Sequence, residues 1–101
     1  MALSEYGKVE TVPANKYTWK FGTFAWSTTN ATGNLPAQGL KVVIACFFTP
    51  IGAYDADDDV RVNETLDGDG NIQVGTDGVI AVERNTSGTS AGKVKYALYG
   101  Y

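Results

Sequence analysis

The side chains whose type and spacing single them out for chemistry in this chain are carboxylates and one thiol. There is no histidine and a single cysteine, Cys46. Composition therefore excludes a Ser-His-Asp relay, a His-ligated metal, a Cys-rich zinc cluster and an intramolecular disulfide. The acids gather at Asp55-Ala56-Asp57-Asp58-Asp59 and at Asp67-Gly68-Asp69-Gly70-Asn71. The second run begins like a Ca2+ loop, where alternate oxygen side chains supply the ligands a hard cation takes. It then departs: Ile72 stands where such a loop needs Gly, and Gly78 where it needs a bidentate Glu. Turn chemistry is the reading for these acids, and no metal or cofactor is expected. A glycosidase-like carboxylate pair needs a substrate cleft, which a domain of this size rarely encloses. Gly68, Gly70, Gly75 and Gly78 are followed by no P-loop lysine. Cys46 sits among apolar residues and reads as a buried, inert thiol. These residues give no basis for an enzyme.

What holds them is one domain. At 101 residues the chain has room for one hydrophobic core. Its hydrophobic fraction of 44% and charged fraction of 19% are those of a globular protein. It has no apolar run near the roughly 18 residues of a membrane helix. The start, Met1-Ala2-Leu3-Ser4-Glu5, lacks the basic and apolar regions of a secretory signal, so synthesis and folding in a cytosol are expected.

No stretch sustains apolar spacing at helical period, and short apolar runs broken by Gly, Asn, Asp and Pro recur instead. The expectation is an all-β fold: a single antiparallel β-sandwich of about six to eight strands. Residues 1–13 read as an N-terminal arm, extended over 7–12 and ending before Pro13. In Tyr17–Trp26, alternation puts Tyr17, Trp19 and Phe21 on one face and Phe24 and Trp26 on the other. A β-bulge near Gly22 would bring all five aromatics to one side, as core. Stacking on sugar rings is the alternative use for that set.

Residues 27–39 read as a loop. Residues 40–49 are apolar on both faces, with Leu40, Val42, Ile44, Cys46 and Phe48 opposite Val43, Ala45 and Phe47. That describes a central strand closing at Pro50, or one whose outer face meets a neighbouring subunit. Val60-Arg61-Val62-Asn63-Glu64 alternates, and hairpin signals at Asp67-Gly68-Asp69-Gly70 and Asp77-Gly78 lead into 71–74 and 79–83. The last strand should face Val94, Tyr96 and Leu98 inward, with Lys93, Lys95 and the remaining tyrosines outward.

Charge is unevenly placed. Between Asp55 and Glu83 lie nine of the eleven acids against Arg61 alone, while all six lysines and Arg84 lie outside that span with Glu5 and Glu10. An acidic face of one copy can thus oppose a basic face of another. A net charge of −3 and a pI near 4.7 do not suit nucleic acid.

Two families share features with these residues. The start Met1-Ala2-Leu3-Ser4-Glu5-Tyr6-Gly7-Lys8, the segment Gly39-Leu40-Lys41-Val42-Val43-Ile44-Ala45 and the ending Lys93-Val94-Lys95-Tyr96-Ala97-Leu98-Tyr99-Gly100-Tyr101 resemble small β-sandwich virion proteins of tailed bacteriophages. That resemblance implies a non-enzymatic structural protein of the capsid decoration (cement) type, located in the virion. Its partners would be copies of itself, as a homotrimer, and the major capsid protein. Val9, Val12, Tyr99 and Tyr101 are the expected assembly contacts. A tail or neck subunit is the variant of this reading. Phe47-Phe48-Thr49-Pro50, Gly78-Val79-Ile80-Ala81-Val82 and Tyr96-Ala97-Leu98-Tyr99-Gly100 are similar to the H-type lectin domain. That likeness implies a trimeric sandwich and a carbohydrate partner, with no sugar-binding residue matched.

Overall fold

The computed structural model describes residues 4–5 (backbone only), 9–26, 31–51, 60–84 and 92–101. Among these are eight strands: β1 (Ser4–Glu5), β2 (Glu10–Ala14), β3 (Tyr17–Trp26), β4 (Thr32–Pro36), β5 (Val43–Ile51), β6 (Val60–Val62), β7 (Val79–Arg84) and β8 (Gly92–Gly100). They form two antiparallel sheets packed as a β-sandwich. The larger has the order β1-β3-β8-β5 with β2 also on β3, and the smaller the order β4-β7-β6.

The long strands β3 and β8 form the spine of the larger sheet, paired without interruption from Thr18↔Gly100 to Trp26↔Gly92. Because β8 occupies one edge of β3, β1 and β2 share the other, end to end, at Ser4↔Ala25 and from Glu10↔Phe21 to Ala14↔Tyr17. The stretch read as an N-terminal arm thus contributes two strands. Pro13 lies inside β2, which it can do because β2 is an outer strand and Pro has no N–H to donate. Asn15-Lys16 closes the β2–β3 hairpin, with positive φ (62°) at Asn15 alone of the pair, the II′ pattern that suits strand twist.

The even β3–β8 register corrects the bulge expected at Gly22. Glycine within a strand marks either a bulge or a close approach, and here it is a close approach. Gly22 pairs with Tyr96, whose ring lies over it: a Cβ there would stand 2.5 Å from the Tyr96 hydroxyl. Gln38 Nε2 donates to that hydroxyl at 3.2 Å. With alternation intact, Phe24 and Trp26 turn into the core and Tyr17, Trp19 and Phe21 turn out.

The bulge lies in β5 instead. Val43 pairs with Gly100 and Ala45 with Tyr99, which leaves Ile44 extra. Beyond it Cys46 and Phe48 pack against the core while Phe47 points out. β5 is also not central: among the described residues it is the last strand of its sheet, and it runs through Pro50 to Ile51. The expected loop at 27–39 contains a strand, β4, paired with β7 from Thr32↔Glu83 to Pro36↔Val79. Its composition is poor for a strand, but Leu35 is fully buried between the sheets and anchors it. The segment 71–74, expected to be a strand, makes only single bridges, Ile72 to Val43 and to Leu66.

The core lies between the sheets. Phe24, Trp26, Val43, Val94, Tyr96 and Leu98 from the larger sheet meet Leu35, Ile80 and Val82 from the smaller. Side chains of this size contribute about 1.5–3 kcal/mol each when fully buried. Val94, Tyr96 and Leu98 face inward as alternation required.

Candidate functional site

The outer face of the larger sheet follows from strand parity. On β3 it carries Tyr17, Trp19 and Phe21, and on β8 Lys93, Lys95, Ala97 and Tyr99. Val12 of β2 lies opposite Trp19, and β5 adds Ala45, Phe47, Thr49 and Ile51. The rings touch across strands. Trp19 and Tyr99 lie 4.6 Å apart between centroids, Tyr17 and Tyr99 5.2 Å, and Tyr17 and Tyr101 5.7 Å. Trp19 and Phe21 stack nearly parallel at 5.6 Å, and Trp19 reaches Phe47 at 6.2 Å. Cross-strand aromatic pairs of this kind add roughly 0.2–1 kcal/mol each.

The cluster still faces outward. Phe47 is 57% exposed, Tyr101 52%, Val12 45% and Phe21 40%. One row of the sheet reads Phe21–Ala97–Phe47. Ala97 lies between the two phenylalanines in register, and the Trp19 ring leans across towards both of them. The next two rows place Lys95 between Thr23 and Thr49, and Lys93 between Ala25 and Ile51. An aromatic field with a lysine margin is what this face presents.

Of the expected assembly contacts, Val12, Tyr99 and Tyr101 lie on this field. Val9 is half-buried just before β2, and residues 7–8 of the arm lie outside the described residues. Tyr101 is held in place by backbone bonds: its N–H donates to Val42 O, and its carbonyl accepts from the N–H groups of Lys41 and Val42. Trp19, Phe21 and Phe47 were expected inside or covered. The signal that places Trp19 and Phe21 outside is the plain alternation of β3, undisturbed by Gly22, while Phe47 follows from the pairing of β5 with β8.

The remaining candidates do structural work. Cys46 faces the core beside Leu98, and burial pushes its thiol from an ordinary 9.0 up to about 12, leaving it protonated at neutral pH. Asp67 Oδ1 accepts from the N–H groups of Asp69 and Asn71 at 2.9 Å each, a turn held by its own side chain. Glu64 Oε1 accepts from Ala81 N–H at 2.9 Å, and Arg61 Nε donates to Glu83 Oε1 at 2.6 Å. Among the described residues no three His, Cys, Asp or Glu gather to hold a metal; the run 55–59 lies outside them. Nor does any described helix have the length and apolarity to cross a membrane.

Fold and face define an all-β sandwich domain with an exposed aromatic sheet surface. Comparison with models of known families, with curated protein sequences and with solved structures finds no match.

Proposed function

We propose that this chain is a non-enzymatic structural protein that acts by burying the outer face of its five-stranded sheet in an assembly. The observation that carries this reading is the exposure of Phe21, Phe47, Val12, Ile44, Ile51 and Tyr101 on or beside one sheet. An aromatic side chain offers about 150–250 Å2, so these groups together expose on the order of 500 Å2 of apolar surface. Patches of that size are the largest a typical monomer shows and are often functional. The sequence resemblance to small β-sandwich virion proteins supplies the setting: a tailed-phage capsid, with the chain as decoration protein on the major capsid protein. Co-sedimentation with bare capsids tests it. Saturable binding by the wild type, reduced at least tenfold in Phe47→Glu, is expected; no saturable binding overturns the capsid role.

The same rings support a second reading. Trp19 and Phe21 stack on each other, 12° from parallel, and the outer side of this pair is the surface a sugar ring would use. A carbohydrate-binding module predicts that Trp fluorescence shifts saturably on titration with N-acetylgalactosamine. An unmoved spectrum, with no hit on a glycan array, overturns that reading.

A further inference from the structure

The other half of a complementary contact is present in the same chain. On the smaller sheet and its turns the acids Glu64, Asp67, Asp69 and Asp77 are exposed. Among them stands Leu66, which is 64% exposed and makes no part of the core. An apolar knob with acids close to it in sequence therefore lies on one part of the molecule. The aromatic field margined by Lys93 and Lys95 lies on another. The knob matches the aromatic field in apolarity and the acids match the lysines in sign.

We propose that the occupant of the aromatic face is a second copy of this chain, docked head to tail: Leu66 of one copy packs on the exposed rings of Phe21 and Phe47 of the next. The inference rests on the reading of that face as an assembly surface and assigns its partner. Face-to-face pairing of two identical aromatic surfaces would bring lysine-margined fields together, with Glu10 of β2 the acid opposite Phe21. Head-to-tail docking instead opposes Lys93 and Lys95 to Asp67 and Asp69. A contact between two different surfaces closes into a ring when its rotation allows and otherwise extends into a filament. A ring of three is the trimer expected from sequence.

Two variants separate the surfaces. Phe47→Glu with Lys95→Glu alters the face, and Leu66→Lys with Asp69→Lys alters the knob. All four side chains are exposed, so folding is retained, and a thermal melt verifies this before use. Light scattering from about 10 μM to about 1 mM covers the range in which weak contacts populate. The wild type should gain mass with concentration and lose it with added salt. Each variant alone should stay at one chain, 10.8 kDa. An equimolar mixture should form a 1:1 dimer, because the intact face of one variant accepts the intact knob of the other. A wild type that remains monomeric overturns the proposal, as does self-association by either variant or a mixture that stays monomeric. Capsid co-sedimentation of the same samples keeps the two readings apart. Binding retained by a monomeric wild type removes the head-to-tail contact and leaves the capsid role standing.

Discussion

Cys46 and Gly22 show how a single side chain, or the lack of one, is set by its neighbours. The Cys46 thiol is raised from 9.0 to about 12 because burial penalises the thiolate. Between those values the unfolded chain gives up a proton that the folded chain keeps. This group's contribution is therefore fully present below pH 9.0 and is lost as pH rises towards 12. Urea midpoints at about pH 8 and about pH 10.5 should fall further for the wild type than for Cys46→Ala; equal falls would place the thiol in contact with water. Gly22 makes room for the Tyr96 ring, so Gly22→Ala forces that ring off its hydrogen bond with Gln38. Overpacking of this sort costs about 1–3 kcal/mol, readable in the same urea titration. Gly68 has open space around it, and Gly68→Ala serves as the control with little change.

At the scale of elements, β4 is the instructive strand. Thr32-Gly33-Asn34-Leu35-Pro36 has turn composition, and in isolation it would be a loop. It becomes a strand because β7 offers a row of backbone partners and the inner face has a place for Leu35, which is 0% exposed. Leu35→Ala should therefore cost about 2–5 kcal/mol, as core truncations do. A loop leucine would cost under about 0.5 kcal/mol, so urea unfolding distinguishes the two. β5 carries a different lesson. Its bulge at Ile44 resets the alternation, so that Val43 and then Cys46 and Phe48 face in. Parity from sequence had grouped Ile44 with Cys46 and Phe48.

For the whole molecule, the two sheets divide the labour. The inner faces share one core, while the outer face of the larger sheet adds rings that contribute little to that core. Phe47 is the test residue, being 57% exposed on the last described strand of its sheet. Phe47→Glu should change stability by less than about 1 kcal/mol, since exposed substitutions rarely do more, while removing both self-association and capsid binding. A large drop in melting temperature would mean that the aromatic field belongs to the folding unit instead.

Sequence by itself determined the fold class, the run of β3 and β8, the inward set Val94, Tyr96 and Leu98, and the turn role of the Asp67 and Asp77 segments. All of these rest on local periodicity or turn chemistry, which a chain carries without reference to distant residues. Tertiary structure alone decided where the aromatics go. Whether Gly22 is a bulge or a gap for a ring depends on Tyr96, which is 74 positions away in the chain. Whether 32–36 pairs at all depends on β7, and whether Phe47 faces out depends on the register of β5 against β8 beyond the bulge at Ile44. The aromatic outer face was visible beforehand only in Val12, Tyr99 and Tyr101. The rest of it emerges when three strands distant in sequence set their outward residues side by side, because neighbours in a sheet are fixed by register and not by proximity along the chain.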